Sequence, residues 1–114
     1  MREVPAAADA DNMKVVNYAM YAPTSEMAVS LRPAHREYLT RLHSAGRLLA
    51  CGPLTGEAVA GASGALFIYE ADSIAAARQI LAADPYEIGG VFTLCQLSQW
   101  EVIKANPALL SATP

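Results

Sequence analysis

Residues 64–91 read GALFIYEADSIAAARQILAADPYEIGGV and carry a strand, a helix and the return to another strand in one run. Gly64 to Glu70 is rich in β-forming side chains, with Leu66 and Ile68 on one face and Phe67 and Tyr69 on the other. Asp72 or Ser73 is suited to cap a helix, and the Ala-rich stretch to Ala83 has high helix propensity. Asp84-Pro85 ends that helix, because the residue before a proline is pushed out of the helical region. Gly89-Gly90 then releases the chain into a last strand from about Val91 to Trp100.

Towards the N-terminus, Val15 to Tyr21 reads as a strand with Val16, Tyr18 and Met20 on one face and Val15, Asn17, Ala19 and Tyr21 on the other. Pro23, Thr24 and Ser25 break it. Pro33 suits the first turn of a helix, where its missing N–H has no intrahelical partner, and Gly46 suits the end. The first helix is therefore expected from about Leu31 or Pro33 to Ala45. Arg47 to Cys51 gives a short strand closed by Gly52-Pro53, which pairs antiparallel with Gly64 to Glu70. The resulting order is β-α-β-β-α-β, a ferredoxin-like α+β fold with an antiparallel four-stranded sheet and two helices on one face. Residues 1–12 read as a flexible leader, 13–104 as the domain and 105–114 as a C-terminal tail.

A chain of 114 residues supports one core, and 54% hydrophobic against 17% charged residues is apolar for that size. Two helices cover one sheet face only, yet the strands are apolar on both. A two-fold homodimer with the sheets facing each other, a dimeric α+β barrel, buries the remaining face; further assembly stays open. The net charge of −3 and the scattered Lys and Arg argue against nucleic acid as a partner. No apolar stretch approaches the ~20 residues needed to cross a membrane. Cys51 and Cys95 have neither metal nor redox spacing, and no secretory segment is read, so reduced thiols in a cytoplasmic protein are expected. Neither a nucleotide loop nor a metal-ligand pattern is present, and no cofactor or metal is expected.

At about 100° per residue, Leu31, His35, Tyr38, Leu39, Leu42 and Ala45 share one side of the first helix, and Arg36, Glu37, Thr40, Arg41 and Ser44 the other. His35 thus stands in the buried stripe, where a lone histidine is more often a hydrogen-bonded core residue than a catalyst. His43, at the border, reads as surface. On the second helix the inward line Ile74, Ala77, Leu81 continues to Asp84. A carboxylate at a helix C-terminus meets the negative end of the dipole and needs compensation, for which His35 is the obvious group. The plain alternative is that Asp84 only bonds its own Asp-Pro turn.

Arg32-Pro33-Ala34-His35, followed by Leu39, Leu42, His43, Gly46-Arg47-Leu48-Leu49 and Gly52-Pro53, resembles the first half of the YciI-like (YCII-related domain) family. Asp84-Pro85-Tyr86, Gly90-Val91 and Trp100 resemble its second half, so the likeness spans about residues 14 to 101. It implies a dimeric α+β barrel of ferredoxin-like subunits and a functional His and Asp at His35 and Asp84. The wider superfamily it implies includes muconolactone isomerase, and one YciI-like domain is a dehydrochlorinase acting on a chlorinated hydroxyhydroquinone.

Under that resemblance Asp84 orients His35 and stabilises its protonated form, while the other ring nitrogen exchanges a proton with a small molecule, in isomerisation or elimination. Arg32 is a candidate for pairing with an anionic or phenolic ligand. Gly52 and Pro53 offer close backbone approach, and Tyr18 and Tyr86 are further lining candidates; Tyr38 reads as core. Three readings stand: a cofactor-free lyase or isomerase, a binding module without turnover, and a structural or interaction domain.

Overall fold

Strand alternation and turn chemistry produce the expected elements in the expected order, and the differences lie at their ends. The computed structural model describes residues 12–22, 26–56 and 62–110, so the expected leader lies outside the described residues except for Asn12, as does the break at 23–25. The elements are β1 (Met13–Tyr21), α1 (Glu26–Ser44), β2 (Leu48–Thr55), β3 (Ala62–Ala71), α2 (Ile74–Ala82), α3 (Pro85–Ile88) and β4 (Phe92–Trp100), with a short 3-10 turn at Pro107–Leu110. The strands form one antiparallel sheet in the order β2-β3-β1-β4, the ferredoxin-like arrangement.

Register decides which side chains meet the helices. Val15 lies opposite Tyr69, Asn17 opposite Phe67 and Ala19 opposite Ala65, and all six are buried beneath the helical layer. Leu42 of α1 and Ala77, Ile80 and Leu81 of α2 close the core from the other side. Burying each large apolar side chain of this kind contributes roughly 1.5–3 kcal/mol. The Tyr38 hydroxyl donates to the Ile80 carbonyl at 2.6 Å and ties the two helices together. On α2 the inward line includes Ile80, whereas Ile74 at its start is exposed. The opposite sheet face leaves Tyr18 46%, Met20 43% and Leu94 48% exposed.

Three boundaries differ from expectation. Helix α1 begins at Glu26, two turns before the residues expected to open it, and Pro33 sits inside it. The lost N–H at Pro33 is offset by tertiary contacts of the early turns: the Tyr86 hydroxyl donates to the Ala28 carbonyl at 3.0 Å, and Leu31 packs on the core. Strand β2 runs through Gly52-Pro53 to Thr55, because Gly52, Pro53 and Leu54 pair with Leu66, Ala65 and Gly64. Proline is tolerated there because β2 is an edge strand. Third, Pro85 starts a short helix, α3, instead of merely ending the previous one.

The cap assignments follow local chemistry. Ser73 caps α2, its hydroxyl accepting from the Ala76 N–H at 3.0 Å. Gly46, with φ of 75°, turns the chain out of α1 in the left-handed region that glycine enters without penalty. Among the described residues no helix is long and apolar enough to cross a membrane.

Gly64 is demanded by packing, since a Cβ there would collide with the Ala19 carbonyl oxygen of the neighbouring strand, whereas a Cβ at Gly52 would meet nothing within 4 Å. Gly64→Ala is therefore expected to cost about 1–3 kcal/mol, and Gly52→Ala to be neutral or stabilising by a few tenths. Urea unfolding midpoints check this pair; equal midpoints for the two variants would contradict the close approach of β1 and β3.

Candidate active site

The site begins with a proline and the carboxylate before it. Pro85 at the first position of α3 fixes the helical start, and Asp84, extended at φ −71° and ψ 126°, becomes its N-cap. Its Oδ1 accepts the Tyr86 backbone N–H at 2.9 Å. This corrects the expected electrostatics: Asp84 does follow α2, but its carboxylate faces the N–H end of the next helix, a favourable place for negative charge. The compensation expected from His35 alone is shared with backbone.

His35 arrives from α1. Its Nδ1 lies 2.7 Å from the same Oδ1, with His35 6% and Asp84 1% exposed. An ionised carboxylate only accepts, so the hydrogen of this contact sits on Nδ1, and in the neutral ring Nε2 is the nitrogen with the lone pair. Among the described residues Nε2 makes no hydrogen bond. The imidazole lies flat on the Tyr86 ring, centroids 3.8 Å apart and planes 5° apart, with Phe67 and Phe92 edge-on at 6.0 and 6.3 Å. Tyr86 thereby holds three things at once: its N–H fixes Asp84, its ring fixes the plane of His35, and its hydroxyl anchors α1. The second oxygen, Oδ2, is buried without a hydrogen bond, so the carboxylate is incompletely satisfied.

The ring faces an open pocket of about 510 Å³ between α1, the sheet and α3. Arg32, Gly52, Pro53 and Tyr86 line it together with His35; Asp84 stands behind the imidazole. Tyr18 does not belong to this group. Strand alternation puts it on the helix-free sheet face, opposite the side that carries Asn17 and Ala19. Arg36, assigned by helical angle to the far side of α1, lines the pocket as well, as do Tyr21 and Cys51. Positions 35 and 36 differ by only about 100°, and a long guanidinium side chain spans that difference at a pocket mouth. The spacing of Arg32 and Arg36, one helical turn apart, was the available signal.

Two further groups on the wall, Tyr21 and Cys51, are biased towards their protonated forms. Burial, then the neighbouring Tyr86 and Asp84, pushes the Tyr21 hydroxyl above its ordinary value. Burial and the Asp84 charge do the same to the Cys51 thiol. On the edge strand β4, burial and then the Glu87 charge push the half-buried Cys95 up to about 11. Tyr21 and Cys51 are thus donors at neutral pH, and histidine is the side chain type suited to exchange a proton there. Among the described residues no group of three His, Cys, Asp or Glu side chains gathers as a metal site requires.

The fold and site together define a ferredoxin-like α+β protein with a buried His-carboxylate pair opening on a small-molecule-sized pocket. The YCII-related domain family model matches residues 13–101, and the chain belongs to that family. Protein YciI of Escherichia coli O6:H1 is 38% identical, the match covering 66% of this chain and 86% of the relative, and protein YciI of Shigella flexneri matches equally. Among solved structures, the 5-chloro-2-hydroxyhydroquinone dehydrochlorinase of Burkholderia phenoliruptrix AC1100, in complex with 2,5-dihydroxybenzoquinone, superposes with a TM-score of 0.68. At 23% identity, covering 78% of this chain and 94% of that one, this likeness establishes the shared fold.

A thiol whose ionisation is pushed up holds less thiolate than a free cysteine at the same pH. Alkylation of the exposed Cys51 by iodoacetamide at pH 7.5, followed by mass spectrometry, should therefore run slower than that of glutathione and accelerate as pH rises. A rate equal to or above that of glutathione would contradict the environment described.

Proposed function

We propose that the chain is a YciI-like small-molecule enzyme, a cofactor-free lyase or isomerase in which His35 transfers the proton and Asp84 orients it. The observation that carries this reading is the 2.7 Å contact between His35 Nδ1 and Asp84 Oδ1, which occupies one ring nitrogen of a histidine that lines a ligand-sized pocket and leaves Nε2 for a ligand. In an elimination, Nε2 takes a proton from carbon, the C–H electrons form the new double bond, and the leaving group departs with its bonding pair. In an isomerisation the same proton returns to a different carbon. Either way the imidazolium that forms stays against the Asp84 carboxylate, and the Tyr86 stack keeps its plane fixed while charge appears. Arg32 holds the anionic or phenolic part of the substrate, and Gly52 and Pro53 contribute wall. The dehydrochlorinase, which shares the fold, offers a precedent for elimination on a phenolic ring.

The test is a turnover screen over small anionic and phenolic compounds with wild type, His35→Ala and Asp84→Asn. Turnover should fall by roughly 10²-fold or more in His35→Ala, with a clear loss in Asp84→Asn. Circular dichroism melts on the same samples separate lost chemistry from lost folding. Undiminished turnover in folded His35→Ala would sink the mechanism; binding of the same compounds without product in wild type would favour a binding module.

We also propose that two copies pack their helix-free sheet faces into a dimeric barrel, placing the exposed Tyr18, Met20 and Leu94 out of water. Light scattering at low micromolar concentration should give twice the mass of one chain, and Tyr18→Lys or Leu94→Lys should shift it towards monomer. A wild-type monomer would overturn the barrel.

A further inference from the structure

Two guanidinium groups frame the pocket that holds His35. Arg32 and Arg36 both line it, and they are one helical turn apart on α1, a spacing that puts their Cβ atoms about 5–6 Å from each other. Among the described residues neither Arg32 nor Arg36 makes an ion pair; the charged pair there is Lys14 with Glu70, and Asp84 is engaged by the hydrogen bond from His35. Nor does any carboxylate appear among the lining residues, although the chain as a whole carries a net charge of −3. Like charges this close, lining a pocket and without an ion-pair partner among the described residues, raise the positive potential on that side of the pocket and draw in an anion.

The remaining wall narrows the chemistry. Tyr21 and Tyr86 line the pocket with aromatic rings, Leu39 with an apolar side chain, and the protonated Tyr21 and Cys51 with weak donors. A volume of about 510 Å³ lies in the range of small-molecule sites and holds a single ring with substituents. A flat ring or conjugated chain fits such walls. The planar donor fork of arginine matches the two oxygens of a carboxylate better than the single oxygen of a phenolate.

We propose that Arg36 acts with Arg32 as a two-guanidinium clamp for the carboxylate of a flat aromatic or unsaturated acid, and that Arg36 is a specificity-determining residue of this site. The inference rests on the reading of the pocket as the substrate site and narrows the ligand from anionic or phenolic to carboxylic. The carboxylate sits at the mouth between the two guanidinium groups, and the ring extends inward towards Nε2 of His35. Arg36 contributes affinity and choice of substrate, while the proton transfer stays with His35.

Calorimetric binding of 4-hydroxybenzoate and of cinnamate to the full chain tests this, with 4-hydroxybenzamide and phenyl phosphate as comparison probes. At least one acid should bind wild type, and bind about tenfold or more tighter than 4-hydroxybenzamide and tighter than phenyl phosphate. Arg36→Gln should weaken that acid about tenfold or more, Arg36→Lys should recover part of the loss, and higher salt should weaken wild type. His35→Ala should keep binding within a few-fold, so loss of the clamp and loss of the catalytic reading are separate results. Acid binding unchanged in Arg36→Gln, equal affinity for acid and amide, tighter binding of phenyl phosphate, or no binding of either acid at millimolar concentration would each overturn the proposal.

Discussion

Oδ1 of Asp84 accepts two hydrogen bonds at once, one from the imidazole of His35 and one from the backbone of Tyr86. The first joins two residues 49 positions apart, on α1 and at the start of α3; the second makes the carboxylate the cap of that short helix. Removing the acid would therefore release a ring and a helix start together, and leave a buried imidazole without its partner. The architecture around the pocket depends on this atom: Tyr86, placed by the cap, supplies the surface on which His35 lies and the hydroxyl that holds the early turns of α1. A pocket wall and a positioned imidazole arise from the same few contacts.

The sheet divides the molecule into two environments. Its helix-covered side carries the apolar core and one buried amide, Asn17, which donates to the Tyr69 hydroxyl at 3.2 Å. Its other side combines exposed Tyr18, Met20 and Leu94 with a buried carboxylate, Glu70, beside Lys14 at 3.8 Å. An open apolar face on a domain this small is costly in water, which is the physical ground for pairing two copies. The pocket lies on the helix side of the sheet.

Much of this was readable from side-chain order. Period-two alternation placed Val15, Asn17 and Ala19 together, and Gly46 and Ser73 marked helix ends by chemistry that acts within a few residues. His35 and Asp84 were legible as inward-facing polar groups on two helices. What local rules missed depended on distant partners. Proline at position 33 looks like a helix start until the Tyr86 hydroxyl and the core packing of Leu31 hold the preceding turns in place. Gly52-Pro53 looks like a turn until the neighbouring strand pairs with it. The bond of Asp84 to its own Asp-Pro turn was legible, but the helix it caps was hidden because Pro85 signals both the end of one helix and the start of another, and Arg36 was hidden because its reach exceeds its helical angle.

The central claim is that Asp84 holds the proton of His35 on Nδ1 and leaves Nε2 free towards the pocket. Long-range proton–nitrogen correlation spectra of the imidazole side chains, with His35 assigned by comparison with His35→Ala, test it most directly. The account predicts that neutral His35 is protonated at Nδ1, with a downfield hydrogen-bonded Nδ1–H signal that disappears in a folded Asp84→Ala variant. A neutral ring protonated at Nε2, or a signal that survives unchanged without the Asp84 carboxylate, would contradict it.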